Sequence, residues 1–186
     1  GNSFDDYWKL AEQLETIKKV NALEVNISCP NIKKGGIAFG TAPEMVKQLI
    51  KGIKDRYTKV IITKLTPNVS SIIEPALAAE EAGSHGLTLS NTYLGMAIDI
   101  RKKRPVFHNI QAGLSGPAIK PMALLKVYQV YKKVKIPIIA SGGINDINDC
   151  IEFFLAGASA IQLGSALFKR PALVISLKKQ LEDYLE

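Results

Sequence analysis

The amino-acid sequence predicts an α/β fold built around a parallel sheet. Short β-branched apolar runs alternate with longer stretches of helical period, and the runs end in or just before Asn, Pro, Ser or Gly. Strands buried on both faces read as near-continuous apolar runs, and joining them in parallel takes a crossover, usually a helix. The 186 residues are 47% hydrophobic and 22% charged, the balance of one globular domain with its own core, so residues 1–186 are taken as a single domain.

The first element is a helix with Phe4, Tyr7, Trp8, Ala11, Leu14 and Ile17 on one face and Ser3 or Asn2 as N-cap. Ala22 to Ser28 follows as a strand. A second helix carries Met45, Leu49, Ile50 and Ile53, and Val60 to Leu65 is the next strand. The third helix starts between Ser70 and Pro75, since that proline suits a first turn better than an interior, and ends near Ala82, marked by Gly83. Gly86 to Ser90 is again a strand. Residues 94–117 break the rhythm, with charges at Asp99, Arg101 and Arg104 and little helical period, and read as an inserted loop or hairpin above a strand end. Leu124, Val127, Tyr128 and Tyr131 mark the next helix, Ile136 to Ser141 a strand, and Ile147, Cys150, Ile151 and Phe154 a helix ending near Gly157. Ala160 to Gly164 is the last strand, and Pro171 suits the first turn of a final helix running through Leu181.

The first helix has no strand before it, and five strands are too few to close an eight-stranded barrel of typically ~250 residues. An open sheet of this kind would leave two apolar edges. The expectation is therefore a partial TIM (β/α)8 barrel, about strands 4–8 with their helices, lacking its N-terminal strands. A smaller doubly wound open sheet is the structural alternative.

Composition narrows the function. No apolar run approaches the roughly 20 residues that cross a bilayer, and the first residues lack a signal peptide's basic and apolar regions. Cys29 and Cys150 cannot build a disulfide framework and sit in no zinc-like spacing, so no metal is expected and a reducing cytoplasm fits best. The net charge of +7 is spread over helical lysines such as Lys47, Lys51 and Lys54 without aromatic interleaving, which reads as solvated helix faces rather than a nucleic-acid site.

In parallel α/β folds function gathers at the C-terminal ends of the strands. The first such end is N-I-S-C-P-N, Asn26 to Asn31, leading into the glycine-bearing loop Lys33 to Gly40. Amides beside a thiol suit a carbonyl-rich heterocycle, and a cysteine can remove a proton if its pKa is lowered. A lone cysteine is ordinarily a small buried hydrophobe, but Cys29 lies past the strand end between polar groups. Lys64 ends an apolar strand, where a lysine needs an anionic partner: a reduced flavin, a phosphate, a carboxylate or a structural ion pair. Ser90-Asn91-Thr92 again sets an amide and hydroxyls at a strand end. Ser141-Gly142-Gly143 and Gly164-Ser165 follow the last two strands, where backbone N–H groups and helix N-termini attract phosphate; tight turns alone would also explain either pair.

Taken in order, these segments, with T-K-L-T-P-N, S-N-T, G-L-S-G-P-A-I-K-P from Gly113 to Pro121, A-S-G-G-I and Q-L-G-S-A, resemble the dihydroorotate dehydrogenases, and the C-P-N-x-K-K-G-G loop resembles their NAD-linked, heteromeric class 1B catalytic subunits. The resemblance implies oxidation of dihydroorotate to orotate in pyrimidine biosynthesis, with FMN as cofactor and FAD and a 2Fe-2S cluster on an electron-transfer partner subunit that passes electrons toward NAD. It also implies a homodimer. By the same resemblance Cys29 is the general base, and Asn26, Asn31, Asn91 and Thr92 hold the pyrimidine ring. Lys64 meets the flavin N1–C2 edge, Ser115 and Gly116 approach the flavin or its ribityl chain, and Ser141, Gly142, Gly143, Gly164 and Ser165 lie at its phosphate. A serine replaces the cysteine in the membrane-bound, quinone-linked relatives, so Cys29 favours the soluble forms. Two other readings stay open: an FMN domain like that of dihydropyrimidine dehydrogenases, and a truncated barrel fragment without catalytic activity.

Overall fold

The computed structural model describes residues 3–28, 30–31 and 37–186, with backbone alone at 30–31 and 37–38. Five parallel strands form one sheet in the order β1 (Ala22–Asn26), β4 (Val60–Lys64), β5 (Gly86–Leu89), β10 (Ile138–Ser141), β11 (Ala160–Gln162). All five begin and end within two residues of the sequence expectation. Their register pairs Val25 with Thr63, Thr63 with Leu87 and Leu87 with Ile138, a buried row on the face that the helices cover. The neighbouring row runs Asn26, Lys64, Thr88, Ile139, Ala160 on the opposite face. The pleat, with its period of two, thus separates an apolar face from a largely polar one.

The helices are α1 (Phe4–Glu15), α2 (Pro43–Lys54), α3 (Ile73–Glu81), α4 (Lys120–Tyr131), α5 (Ile147–Leu155), a single turn α6 (Ala166–Lys169) and α7 (Leu173–Leu185). Ser3 caps α1 in a reciprocal box with Asp6. Pro43 opens α2, whose Val46, Leu49, Ile50 and Ile53 are buried in the core. Pro75 falls in the first turn of α3, where its missing N–H costs no helical hydrogen bond. Pro171 lies two residues ahead of α7 rather than inside its first turn, and α6 went unforeseen because one turn carries no periodicity to read. None of the described helices is long and apolar enough to cross a membrane.

Three short antiparallel pairs decorate the C-terminal end of the sheet. β2 (Pro30–Asn31) pairs with β3 (Ile37–Ala38). Between β5 and α4 the chain folds into nested ladders, β6 (Tyr93–Met96) with β9 (Gln111–Leu114) and β7 (Ile98–Asp99) with β8 (Arg104–Pro105). Leu94, Met96, Ile98 and Ile100 stand exposed along this arm.

Two contacts between helices hold the layers. The Trp8 indole lies on the backbone of α2 at Gly52, donates from Nε1 to the Leu49 carbonyl at 3.2 Å and is covered by the Arg56 guanidinium. Lys120 at the start of α4 reaches Asp149 at 2.6 Å and Glu152 at 3.0 Å on α5. Hydrogen bonds that its ammonium donates to both carboxylates raise the Lys120 pKa. Burial alone would raise that of Asp149, but the Lys120 ammonium and the N–H groups of Asn145 and Asp146 outweigh it and hold the carboxyl below its usual value.

A glycine inside a helix normally gives way to alanine with a gain of about 1 kcal/mol. At Gly52 the sign is expected to reverse, since a Cβ there would lie 2.4 Å from Trp8 Cε2 and force α1 off α2. Gly52→Ala should lose about 1–3 kcal/mol, the usual scale of overpacking, in a denaturant titration; a gain would show that α1 yields freely. For Asp149 the depressed pKa means that its charge stabilises the fold above the unfolded-state value and that this contribution is lost as pH falls through the folded-state value. The gap in Tm between the protein and Asp149→Asn should be widest near neutrality and close below about pH 4. A gap that does not change with pH would show that the charge is irrelevant.

Candidate functional site

The C-terminal ends of β4, β5, β10 and β11 open onto one cleft of about 320 Å³. Lys64 lines it from β4, Ser90, Asn91 and Thr92 from the turn after β5, and Ser115 and Gly116 from the turn after β9. Ser141, Gly142 and Gly143 follow β10, while Gln162, Gly164 and Ser165 come from the end of β11. Ile119, Ile144 and Phe168 add apolar wall. Lys64 is the only charged side chain among the described residues that line it.

Asn26 joins this group from the side. Its Oδ1 accepts from Asn91 Nδ2 at 3.1 Å and from the Ser28 N–H at 3.1 Å, and its carbonyl accepts from the Tyr7 hydroxyl at 2.6 Å. Asn91 Oδ1 accepts from the Thr92 N–H at 2.8 Å, and its own N–H donates to the Leu65 carbonyl at 3.0 Å. The two amides are thereby fixed to each other and to the backbone of two strands. Cys29 lies outside the described residues, as does the side chain of Asn31, so neither expectation meets a structural observation.

Lys64 does not stand alone in the polar face. Its Nζ donates to Glu24 Oε1 and to Gln162 Oε1, each at 3.2 Å, while Gln162 Nε2 donates to Glu24 Oε2 at 2.5 Å and Thr88 Oγ1 donates to the same oxygen at 2.8 Å. Burial would raise the Glu24 pKa, but Thr88, Gln162 and Lys64 outweigh it and keep the carboxyl below its usual value. Sequence reasoning left Glu24, Thr88 and Gln162 unassigned. The available signal was spacing: Glu24 stands two residues before Asn26 and Gln162 two before Gly164, each on the same strand face as a position already singled out. Asn68 was also passed over, although it clamps the next turn by donating to the Thr92 carbonyl at 3.0 Å and accepting from the Leu94 N–H at 2.9 Å.

The two glycine loops differ. Gly142 and Gly143 have φ of 142° and 79°, and a Cβ would meet Ala123 Cβ at 2.8 Å or the Lys120 nitrogen at 2.7 Å, so this turn is pressed against the start of α4. The helix after it starts only at Ile147, and Asp146 and Asp149 already cap it in a reciprocal box. An anion here would be held by loop backbone rather than by that helix terminus. At Gly164 a Cβ would meet nothing within 4 Å, so its backbone faces open space. The second cysteine, Cys150, is buried in the core, and burial pushes its thiol up to about 11, which leaves it inert near neutral pH.

The family model described as dihydroorotate dehydrogenase matches residues 1–185. The dihydroorotate dehydrogenase B (NAD+) catalytic subunit of Bacteroides thetaiotaomicron is 48% identical over 186 residues, which is 100% of this chain and 61% of that protein. That of Geotalea uraniireducens is 47% identical over the same shares. The chain thus spans about three-fifths of the length of these curated relatives. A crystal structure of DHODH from Eimeria tenella in complex with ferulenol superposes with a TM-score of 0.81 at 23% identity, covering 100% of this chain and 55% of that one, a likeness of fold. These similarities bear out the parallel α/β fold; the narrower expectation that the five strands are the C-terminal ones of a barrel finds no support in them. With 185 of its 186 residues matched, the chain belongs to the dihydroorotate dehydrogenase family.

Proposed function

We propose that the protein containing this chain oxidises dihydroorotate to orotate for pyrimidine biosynthesis, using FMN bound in the cleft at the strand ends, and that its sheet is one side of a TIM barrel. The observation that carries the reading is the meeting of Lys64, Asn91 and both glycine loops around one cleft, in a chain 48% identical to a dihydroorotate dehydrogenase B catalytic subunit. The donor set fits a flavin: the open backbone at Gly164 suits a phosphate, and the lining cation Lys64 suits a ring edge that gains negative charge on reduction. Bound FMN would supply the hydride-accepting chemistry.

The chain's own residues supply the rest. Cys29 takes the proton from C5 of dihydroorotate as the C6–H leaves with its electron pair, so that the C5–C6 double bond forms. Asn26 and Asn91, locked to each other, present amide donors and acceptors to the pyrimidine ring, with Asn31 and Thr92 completing that set. Ser115, Gly116, Ser141, Gly142, Gly143 and Ser165 hold the cofactor's chain and phosphate. The name of these relatives, the catalytic subunit of an NAD+ enzyme, supports a partner subunit; FAD and a 2Fe-2S cluster on that subunit, passing electrons toward NAD, complete the proposal. A homodimer and a cytoplasmic location belong to the same reading.

Stopped-flow reduction of the flavin-loaded protein tests this directly: dihydroorotate should bleach the flavin band and dihydrouracil should not. A preparation that stays colourless with added FMN overturns the reading. Cys29→Ala is expected to keep its flavin yet slow this half-reaction by ~10²-fold or more. Cys29→Ser should also be slow near neutrality, and the parent rate should rise with pH as the thiol ionises, at or below the ordinary cysteine value of ~8.5. An alanine variant that reduces its flavin at the parental rate removes Cys29 from the chemistry. Gly164→Val separates cofactor binding from folding, because the added side chain meets no protein atom at its Cβ and enters the space assigned to phosphate. Its Tm without FMN should match the parent's while FMN affinity falls at least tenfold; unchanged affinity places the phosphate elsewhere.

A further inference from the structure

We propose that Glu24 is the positioning residue of this site, holding the Lys64 ammonium at the cleft wall through a closed ring with Gln162. The inference rests on the flavin reading above and adds a residue to it.

Lys64 and Gln162 line the cleft, whereas Glu24 is absent from its lining, so Glu24 reaches a bound ligand only through its partners. Each side of the triangle is made: Lys64 Nζ to Glu24 Oε1 at 3.2 Å, Lys64 Nζ to Gln162 Oε1 at 3.2 Å, and Gln162 Nε2 to Glu24 Oε2 at 2.5 Å. These contacts fix the Gln162 amide in one orientation, oxygen toward the lysine and nitrogen toward the glutamate. Thr88 Oγ1, at 2.8 Å, anchors the glutamate from a third strand. The carboxylate therefore has three donors on three different strands of a rigid sheet, and its place does not depend on the lysine. The Lys64 side chain is about one-fifth exposed and that of Glu24 about one-third, so the pair is neither dry nor freely solvated. A lysine carries about 2 kcal/mol of side-chain rotamer entropy. Two fixed acceptors remove that freedom ahead of binding and leave the third N–H of the ammonium available to the cleft.

The test reads the bound flavin and Lys64 separately. In the complete flavin-loaded protein, Lys64→Met should make the flavin harder to reduce, moving its midpoint potential to more negative values. Glu24→Ala is expected to move it the same way by a smaller amount, with Glu24→Gln, which keeps an oxygen for Lys64, restoring part of the shift. In the Lys64→Met background Glu24→Ala should add nothing. An unchanged potential in Glu24→Ala overturns the proposal, as does a shift that persists without Lys64. A move to more positive values also overturns it, since that is the signature of a counter-charge that does no positioning. The second readout needs no flavin: labelling of Lys64 by a succinimidyl ester, followed by mass spectrometry, should run several-fold faster in Glu24→Gln than in the parent. Equal rates would mean that the glutamate does not hold the amine. If the parent takes up no flavin, the functional reading fails while the labelling still decides the pairing.

Discussion

A cation on a central strand constrains everything around it. Lys64 sits in β4 between β1 and β5, and the register that buries Thr63 and Leu65 beneath the helices is the one that turns Lys64 to the opposite face. A slip of one residue would put the ammonium into the apolar layer, where it would lose solvation without a partner. The polar face answers the charge with Glu24, Thr88 and Gln162, contributed by β1, β5 and β11. The ion pair and the Gln162 amide that bonds to both its members thus tie together strands that stand at both ends of the sheet.

The same strands deliver the loops that surround the cleft, and their rigidity has a separate origin. Gly142 and Gly143 pass so close to Ala123 and Lys120 that neither could carry a side chain without moving α4. Lys120, anchored to Asp149 and Glu152, holds α4 to α5 across that turn, and Asp149 in turn accepts from the Asn145 and Asp146 N–H groups that lead into α5. The acidic cap of α5 also removes its N-terminal donors from the site. Among the described residues that line the cleft, loop backbone and Lys64 remain to attract an anion.

Much of this is legible in the amino-acid sequence. The five strands and the long helices follow from runs and periods that burial imposes on a sequence, and residues from Lys64 to Ser165 were drawn to one end by the rule that parallel strands share a direction. Residues that speak to distant partners were not legible. Glu24 and Gln162 lie 138 positions apart, and nothing local distinguishes a glutamate that meets a lysine across the sheet from one that faces water. Asn68 likewise reads as an ordinary turn residue until the backbone at Thr92 and Leu94 is seen to close on it. Glycine backbone faces open space at Gly164, whereas the helix terminus after Gly143 is already capped by Asp146 and Asp149.

The distribution of charge draws these threads together. The net charge of +7 belongs to lysines spread along the sequence, whereas among the described residues the cleft is lined by one cation with its counter-ion set behind it. A bare lysine in such a cleft would attract any passing anion. Paired with Glu24, its field reaches only a group close enough to feel the ammonium before the carboxylate. Selectivity for a charge that appears at one place and only during reaction is better served by this arrangement than by a stronger, unpaired field. The polar face of the sheet is therefore organised to make one cation short-ranged and immobile, and the amides and glycine loops are arranged around that fixed point.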